Sequence, residues 1–263
     1  MKLTEKFRTI NNPWVFSMFV NFRSVAKFSK VRCAYISNLG VFQAQCEGET
    51  RFASVNSRVL SYLDGFSLRA AYIGQTYMLS SIPFRDGDLV VDCGANMGDL
   101  EFYLRENAPN VRYVGYEPNP RDFVCLQRNV GPSRSRNIGL WNQEGSIPFY
   151  VNEAHASSSF IQPPEFTQLV NIPTSTLSVQ FPNSRIRLLK LEAEGAEPEV
   201  LEGAISILNC IDYVAADVGP ERGILEKETR DTVVTFLEAH GFELVKENRG
   251  HRKIVLMRQI GVS

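Results

Sequence analysis

A regular alternation of strand-like and helix-like segments, beginning near Asp88, constrains the fold of this chain more than any other feature. The apolar runs at 89–91 and 187–191 have the length of strands, and the apolar residues that follow each of them recur at helical spacing. Strands that alternate with helices form parallel sheets, because the crossover helices cover both faces. Further strands are predicted at 111–116, around 136–138 and at 213–216.

The C-terminal end of the chain departs from this alternation. Two strands are predicted at 242–245 and 253–257, with a short turn at Asn248-Arg249-Gly250 between them. The gap is too short for a crossover helix, so the two strands must pair antiparallel. The sequence therefore predicts an α/β, Rossmann-like fold with a mostly parallel seven-stranded sheet and a C-terminal antiparallel hairpin. Such an ending argues against a plain dinucleotide dehydrogenase.

Residues 1–85 differ from residues 86–263 and are predicted to form an N-terminal extension to the main domain. From Met1 to Ala44 the charged residues are seven lysines and arginines against Glu5 alone, interleaved with aromatic residues. We expect a helical subdomain that packs over the main core. The alternatives are peripheral contact with an anionic membrane surface, or contact with an acceptor or another subunit.

Composition narrows the classes of partner. The formal net charge of -1 over 263 residues offers no basic excess, so no nucleic acid is expected. The five cysteines lack C-x-x-C spacing, which favours reduced thiols over a zinc or redox site. The apolar stretch at 14–20 is too short to span a bilayer, and no cleavage signal follows it. We expect a cytoplasmic protein, and the sequence leaves a homo-oligomer open.

The segment 92–98, Asp-Cys-Gly-Ala-Asn-Met-Gly, follows a predicted strand and opens a predicted helix. Glycines suit such a turn because a ligand approaches the backbone where a Cβ would intervene. The exposed amides at the helix N-terminus are suited to an anionic group. Asp92 either accepts from an ammonium group of the ligand or braces the loop. The residues predicted to bind a nucleotide-like cofactor here are Asp92, Gly94, Ala95, Asn96 and Gly98.

Glu117 ends the next predicted strand, about 20 residues after the glycine turn, where an acidic residue that binds ribose is expected. A carboxylate there accepts hydrogen bonds from both ribose hydroxyls. Pro118 and Asn119 follow it in the predicted site, and Asn119 suits the N-cap of the next helix. The spacing does not reproduce G-x-G-x-x-G, which disfavours NAD and FAD. Leu140 and Trp141 are predicted to cover an adenine ring, although Trp141 suits a core or lid position equally well.

Three blocks of the sequence, 90–98, 115–120 and 188–197, resemble the signature blocks of FkbM-type methyltransferases. The third block, Leu-Leu-Lys-Leu-Glu-Ala-Glu-Gly-Ala-Glu, is the most specific, because a generic nucleotide-binding turn does not predict it. The resemblance covers about residues 72–258 and includes 200–204, Gly145, 148–151 and 157–159. It implies the class I methyltransferase fold, S-adenosyl-L-methionine as cofactor and methylation of a hydroxyl group. The acceptors of the family are often sugars, glycans or polyketide-type natural products.

Two positions depart from the family's pattern. Glu192 stands where the family usually has aspartate, so its carboxylate lies one methylene further out. Ser178 stands where the family usually has the aspartate of a Thr-Leu-Asp element, so one carboxylate is missing. Neither departure touches the glycine turn, so the pattern supports cofactor binding more firmly than it supports the detailed chemistry.

Methyl transfer to an alcohol requires that the oxygen be aligned with the methyl group and lose its proton. Glu192 and Glu194 follow the fourth predicted strand and Asp217 ends the fifth, so these carboxylates should converge beside the cofactor. One of them is predicted to be the base, or Glu192 and Asp217 to hold a divalent metal. Glu194 has the alternative role of bracing the turn at Gly195. His155 is a further candidate base, because its ordinary pKa is near neutrality.

Two other functions stay open on the sequence alone. A nucleotide-cofactor oxidoreductase would use the same glycine turn, but it would require a pyrophosphate fingerprint. A catalytically degenerate, methyltransferase-like binding module would explain the missing aspartate at Ser178. An S-adenosylmethionine-dependent O-methyltransferase with a small-molecule or carbohydrate acceptor accounts for more of the sequence than either alternative.

Overall fold

The computed structural model describes residues 10–26, 29–108, 110–152 and 158–259. The helices are α1 Pro13–Val25, α2 Asn56–Leu60, α3 Phe66–Thr76, α4 Asp99–Asn107, α5 Pro120–Val130, α6 Leu177–Gln180, α7 Glu197–Glu202 and α8 Arg230–Ala239. Short 3₁₀ turns lie at Leu79–Ser81, Pro132–Arg134, Ile205–Cys210 and Arg249–His251.

The strands belong to one large sheet and three small ones. They are β1 Arg32–Ile36, β2 Val41–Cys46, β3 Glu49–Ala53, β4 Leu89–Cys93, β5 Arg112–Tyr116, β6 Ser135–Arg136, β7 Gly139–Leu140, β8 Gly145–Val151, β9 Gln168–Ser175, β10 Ile186–Leu191, β11 Ile211–Asp217, β12 Pro220–Arg222, β13 Lys227–Glu228, β14 Phe242–Asn248 and β15 Lys253–Arg258. Within the described ranges, no helix combines the length and the apolar character needed to cross a bilayer.

The large sheet has seven strands in the order β14-β15-β11-β10-β4-β5-β6. Neighbouring strands pair parallel from β11 to β6, whereas β15 pairs antiparallel with both β11 and β14. The predicted fold class, including the seven strands and the C-terminal hairpin, is confirmed. The central strands are continuous apolar runs because helices cover both faces, and all five residues of β4 are buried.

The third strand is shorter than predicted. The sequence places it around 136–138, but β6 ends at Arg136. Beyond that point the side chain of Asn137, not its backbone, meets β5, because its amide donates to the carbonyl oxygens of Glu117 at 2.8 Å and Pro118 at 3.2 Å. Backbone pairing therefore stops where a side chain takes its place.

The N-terminal extension is mixed in structure and not wholly helical as predicted. Helices α1, α2 and α3 are present, but β1, β2 and β3 form an antiparallel sheet between α1 and α2. The segment 41–46 has a buried face at Phe42, Ala44 and Cys46 with Gln45 exposed, which suits a strand better than a helix. Phe16 of α1 packs against Phe42 of this sheet, with ring centroids 5.2 Å apart.

The extension shares a core with the main domain. Phe16, Phe42 and Phe66 belong to the same buried cluster as Phe102 of α4 and Cys125 of α5. The described part of the extension therefore packs directly on the two helices that follow the first and second strands of the large sheet, and several of its residues lie close to the carboxyl ends of those strands.

Candidate active site

A cavity of about 350 Å³ lies at the carboxyl ends of β4, β5 and β10. Its floor is the glycine turn that follows β4, and its other walls come from the extension, from β7, from the loop after β10 and from the turn between β14 and β15. In open α/β sheets a ligand binds at this end of the strands, where the strand order reverses. The order here reverses between β4 and β10.

Gly94 fits the turn for two reasons. Its φ of +70° lies in the left-handed region, and a Cβ there would collide with the backbone oxygen of Glu192. The backbone amide of Glu192 also donates to the carbonyl of Cys93 at 3.2 Å. The loop after β4 and the loop after β10 are therefore in direct backbone contact.

Asp92 braces this turn. Its buried carboxylate accepts from the Tyr113 hydroxyl at 2.8 Å and lies 3.0 Å from the ammonium of Lys190. Burial raises the pKa of Asp92, and Lys190 opposes that shift. Of the two roles predicted for Asp92, the structure provides contacts for the bracing role.

Lys190 connects both carboxylates around the turn. Its ammonium donates to the Gly94 carbonyl at 2.8 Å and lies 2.9 Å from the carboxylate of Glu192. Burial alone would lower the pKa of Lys190, but Asp92 and Glu192 outweigh it and raise that pKa. A lysine in a buried strand is a signal of such pairing, because a buried ammonium needs anionic partners. Lys190 was not among the site residues predicted from the sequence.

Glu117 holds the backbone on both sides of the cavity floor. One carboxylate oxygen accepts from the amide of Asn96 and the other from the amide of Asn119, each at 2.8 Å. Burial raises the pKa of Glu117 to about 8, and the neighbouring Asp122 adds to the increase. Each carboxylate oxygen keeps a further lone pair, so the side chain can still accept from ligand hydroxyls.

The structure divides the other predicted cofactor residues into two groups. Those in the cavity wall are Gly94, Ala95, Asn96, Pro118 and Leu140. Those outside it are Gly98, Asn119 and Trp141.

The second group has packing and capping contacts instead. A Cβ on Gly98 would meet Val130 of α5, so this glycine permits helix packing. Asn119 caps α5 by accepting from the amide of Arg121 at 3.0 Å. The ring of Trp141 packs against the ring of Phe160, with centroids 5.4 Å apart.

Glu192 and Asp217 each face a lysine. Glu192 lies in the cavity wall between Lys190 at 2.9 Å and Lys253 at 4.0 Å. Burial alone would raise its pKa, but these two ammonium groups hold the pKa of Glu192 below its ordinary value. Asp217 lies outside the wall, buried and ion-paired with Lys253.

A divalent metal does not fit this arrangement. Lys190 and Lys253 already neutralise Glu192 and Asp217, the two predicted ligands. In the part of the chain that the structure describes, no group of three or more metal-ligating side chains comes together. The expected metal is therefore not supported.

Glu194 differs from both of these carboxylates. It lies in the cavity wall, and no cation among the described residues lies within ion-pair distance of its side chain. Burial raises the pKa of Glu194 well above its ordinary value, and Glu221 and Glu192 add to the increase.

The turn at Gly195 is braced by another residue. Glu197 accepts from the amides of Ala193 at 2.9 Å and Gly195 at 3.1 Å. Its second oxygen accepts from the Thr229 hydroxyl at 3.0 Å. The bracing role considered for Glu194 therefore belongs to Glu197, and the side chain of Glu194 is left facing the cavity. His155, the remaining candidate base, lies outside the described residues.

Several cavity residues were not found from the sequence. Arg58, Arg69 and Tyr72 come from the extension, and His251 and Arg252 come from the β14–β15 turn. No local pattern marks these positions, since the fold brings them together from distant parts of the chain. Arg69 is ion-paired with Asp99 at 2.7 Å, whereas the buried Nε of Arg58 has no hydrogen-bond partner among the described residues.

The missing family aspartate lies away from the cavity. Ser178 begins α6, where its hydroxyl donates to the carbonyl of Gly203 at 2.8 Å. Thr176 caps the same helix by accepting from the amide of Val179 at 3.1 Å. The departure at Ser178 therefore changes a helix start and not the cavity wall, which removes the main argument for a degenerate binding module.

The strand order, the antiparallel β15, the glycine turn and the acidic residue after β5 together define a class I, S-adenosylmethionine-dependent methyltransferase. The family model of the methyltransferase FkbM domain matches residues 92–257. The chain belongs to the FkbM methyltransferase family.

Two curated fungal proteins are similar over most of their length. Methyltransferase 1 of Beauveria bassiana (strain ARSEF 2860) is 27% identical over 194 residues, which cover 63% of this chain and 76% of the relative. Methyltransferase sdnD of Sordaria araneosa is 22% identical over 222 residues, with 69% and 83% of the two chains covered.

Two bacterial proteins are similar over smaller shares of their length. The 31-O-demethyl-FK506 methyltransferase FkbM of Streptomyces tacrolimicus is 31% identical over 65 residues, a quarter (25%) of each chain. The crystal structure of methyltransferase FkbM from Methylobacillus flagellatus KT superposes with a TM-score of 0.46 at 15% identity. It covers 68% of this chain, which spans 45% of that longer chain.

Proposed function

We propose that the protein transfers a methyl group from S-adenosyl-L-methionine to a hydroxyl of a sugar, glycan or other polar natural product. The observation that carries this proposal is the position of Glu194, a cavity-wall carboxylate whose pKa is raised by burial although the charge of Arg58 opposes the shift, and which forms no ion pair among the described residues. Oxygen as the acceptor atom is also supported by the Streptomyces relative, whose name specifies an O-demethyl substrate.

The chemistry of the cavity wall fits the cofactor. Glu117 would accept from the ribose hydroxyls, and Leu140 would lie against the adenine. Arg58, whose Nε is buried without a hydrogen-bond partner among the described residues, would bind the carboxylate. When bound, S-adenosylmethionine supplies an electrophilic methyl group on a sulfonium.

Glu194 is the candidate general base. An alcohol is a poor nucleophile until its proton is removed. The raised pKa of Glu194 favours its protonated form, so it accepts that proton only after it has ionised, and it is then a stronger base than an ordinary carboxylate. Glu192 is unsuited to this task, because Lys190 and Lys253 stabilise its ionised form and lower its basicity. Glu192 would instead orient the ammonium groups of Lys190 and Lys253, which lie beside its carboxylate.

The mouth of the cavity supports a polar acceptor. The rings of Tyr72 and His251 are in edge contact, with centroids 5.7 Å apart, and the guanidinium of Arg69 lies 5.4 Å from the Tyr72 ring. Arg252 borders the same opening. Aromatic faces beside hydrogen-bond donors are suited to hydroxylated ligands, whose C–H faces pack on rings and whose hydroxyls bind polar groups.

The experiment is methyl transfer from labelled S-adenosylmethionine to a panel of sugars, glycans and polyhydroxylated natural products. Glu194→Gln should lower kcat by at least about a hundredfold, since general base catalysis contributes 10²–10⁴-fold. S-adenosylhomocysteine should still bind to this variant. Glu165→Gln, at an exposed position, is the matched control.

Three outcomes would contradict the proposal. They are an unchanged rate in Glu194→Gln, exclusive methylation of nitrogen or carbon acceptors, and binding of NAD without binding of either sulfur ligand. The last outcome would restore the oxidoreductase alternative.

A further inference from the structure

Helix α1 exposes a face made entirely of apolar side chains. Its members, called here the outer face, are between 51% and 77% exposed; they are Trp14, Val15, Met18, Phe22 and Val25. Arg23 is the single charged residue in the helix, and it is half-buried. The surface helix of a soluble domain ordinarily places its charged and polar residues on this side.

The helix is held so that this face cannot turn inward. Its opposite side is in the core, where Phe16 and Val20 are fully buried and Phe16 packs against Phe42 with centroids 5.2 Å apart. The side chain of Asn21 donates to the Cys33 carbonyl at 2.9 Å and accepts from the Cys33 amide at 2.8 Å. These contacts fix the rotation of α1 about its axis.

The segment of sequence that contains α1 is basic. Between Met1 and Ala44 it has seven lysines and arginines and a single glutamate, and Lys30 and Arg32 are the exposed ones among the described residues. Lys30 and Arg32 follow the helix and are exposed, and the ion pair of Lys30 with Glu47 is long, at 3.6 Å, and open to solvent. Such a pair contributes little, so Lys30 is available to other anions.

We propose that the outer face docks on an anionic membrane surface, with α1 lying in the plane of the interface. Apolar and aromatic side chains, Trp14 and Phe22 among them, would enter the headgroup region, while Lys30 and Arg32 would contact anionic lipids. This arrangement depends on α1 alone and not on the cofactor, the base or the acceptor.

Two other occupants fit less well. A second copy of the chain would bring two segments with the same basic excess into contact, and like charges would repel. A protein interface surrounds its apolar core with a polar rim that makes about ten hydrogen bonds, whereas the exposed side chains of α1 are all apolar. A membrane surface needs only an apolar face with basic flanks.

The test is co-sedimentation of the full chain with vesicles of two compositions. One is an equimolar mixture of phosphatidylcholine and phosphatidylglycerol, and the other is phosphatidylcholine alone. The protein should bind the anionic vesicles and bind the neutral ones much more weakly. The double variant Met18→Ser/Phe22→Ser should lower the partition coefficient at least about tenfold, because two inserted side chains lose their apolar contact.

A matched control is available at the loop 223–226. Ile224 and Leu225 are 61% and 75% exposed, so Ile224→Ser/Leu225→Ser removes equal apolar exposure elsewhere and should leave binding unchanged. Lys30→Glu/Arg32→Glu should weaken binding to the anionic vesicles only.

Retained binding of S-adenosylhomocysteine, or an unchanged far-ultraviolet circular dichroism spectrum, shows that each variant is folded. The proposal is overturned if the wild-type chain ignores anionic vesicles, or if Met18→Ser/Phe22→Ser binds as the wild type does. Sedimentation equilibrium tests whether the outer face binds a second copy of the chain instead. A dimer that this variant dissociates, without vesicle binding by the wild type, would assign the outer face to a second copy.

Discussion

At the scale of single residues, the site contains carboxylates with opposite properties a few positions apart. Glu192 and Glu194 leave the same strand, but two lysines stabilise the first as an anion, while burial among acidic groups favours the protonated form of the second. Environments that separate the pKa values of neighbouring groups often identify acid and base roles. The sequence alone predicts the pair but cannot rank its members, because the deciding lysines act through tertiary contacts.

Substitution of Arg58 tests whether this residue binds the carboxylate of the cofactor rather than its adenosine part. S-adenosylhomocysteine carries a carboxylate and 5′-methylthioadenosine does not, so Arg58→Gln should weaken binding of the first while leaving the second nearly unchanged. We expect a loss of about tenfold or more, since a charged hydrogen bond contributes roughly 1.5–3 kcal/mol. Calorimetry with both ligands measures the two dissociation constants, and their change relative to the wild type gives the loss of affinity for each ligand.

Arg128→Gln is the control for this substitution, because Arg128 is an exposed arginine that packs on Phe52 outside the cavity. Equal losses for both ligands in Arg58→Gln would assign Arg58 a structural role. An unchanged affinity for S-adenosylhomocysteine together with a raised KM for the acceptor would move the role of Arg58 to the acceptor.

Glu117 should make cofactor binding depend on pH. With a pKa of about 8 in the ligand-free protein, the carboxyl is largely protonated near neutrality, yet ribose hydroxyls donate best to the ionised form. The affinity for S-adenosylhomocysteine should therefore rise between pH 6.5 and pH 8, by up to about tenfold per unit. Glu117→Gln should bind weakly and without this slope, and a slope that persists in Glu117→Gln would refer the titration to another group.

The raised pKa of Glu117 also makes the stability of the ligand-free protein depend on pH, but stability falls over the pH range in which the affinity for the cofactor rises. The folded pKa of Glu117 lies above its ordinary value of 4.5, so the folded state holds more protons than the unfolded state between those values. The contribution of Glu117 to the stability of the ligand-free protein is therefore largest below about pH 4.5 and falls as the pH rises toward 8.

At the scale of elements, the turn between β10 and α7 determines where the candidate base lies. Glu197 accepts from two amides of that turn and from Thr229, so three buried donors depend on one side chain. Glu197→Ala should lower the free energy of unfolding by about 3 kcal/mol or more, because each unsatisfied buried donor costs roughly 1–3 kcal/mol. Chemical denaturation measures the change.

The matched substitution is Glu202→Ala at the other end of α7, where the side chain is exposed and accepts from Asn142 at 3.0 Å. It should change stability by less than about 0.5 kcal/mol, as surface substitutions usually do. Similar losses in the two variants would show that the turn does not depend on Glu197.

Patterns within elements account for what the sequence predicts well. The central strands are buried and mostly apolar, and only a short turn separates the two strands of the hairpin, so periodicity and length identify them. The sheet of the extension was not predicted, because the alternation at 41–46 is only six residues long. Short strands are stabilised by pairing with neighbouring strands, and the sequence of one segment does not show which strand it will pair with.

At the scale of the whole molecule, the extension and the main domain should unfold together. Asn129 of α5 donates to the carbonyls of Phe52 at 2.9 Å and Met97 at 2.8 Å, and it accepts from the amide of Phe52 at 2.8 Å. This side chain joins β3 to the glycine turn. Calorimetry should show a single transition, and Asn129→Ala should lower its midpoint by several degrees, since three hydrogen bonds are lost.

Asn107→Ala is the comparison, because Asn107 bonds only within its own helix, to the carbonyl of Tyr103 at 2.9 Å. Two separate transitions in the wild-type chain, or a change confined to one of them in Asn129→Ala, would show that the extension folds as an independent unit.

The origin of the cavity wall explains why sequence reasoning located the cofactor better than the acceptor. The cofactor side is built from segments that follow strands directly, at 94–96 and 117–118, so their positions along the chain already indicate their place in the fold. The opposite side combines α2, α3 and the β14–β15 turn, and its residues Arg58 and Arg252 lie 194 positions apart in the chain (252 − 58). Their meeting is a property of the folded molecule.

The contact between Gly94 and the carbonyl of Glu192 has a thermodynamic consequence. Because the backbones of the two loops touch, we expect a shift of one loop on binding its ligand to displace the other. The affinities for the methyl donor and for the acceptor would then be linked, and each ligand would change the affinity of the other by the same factor.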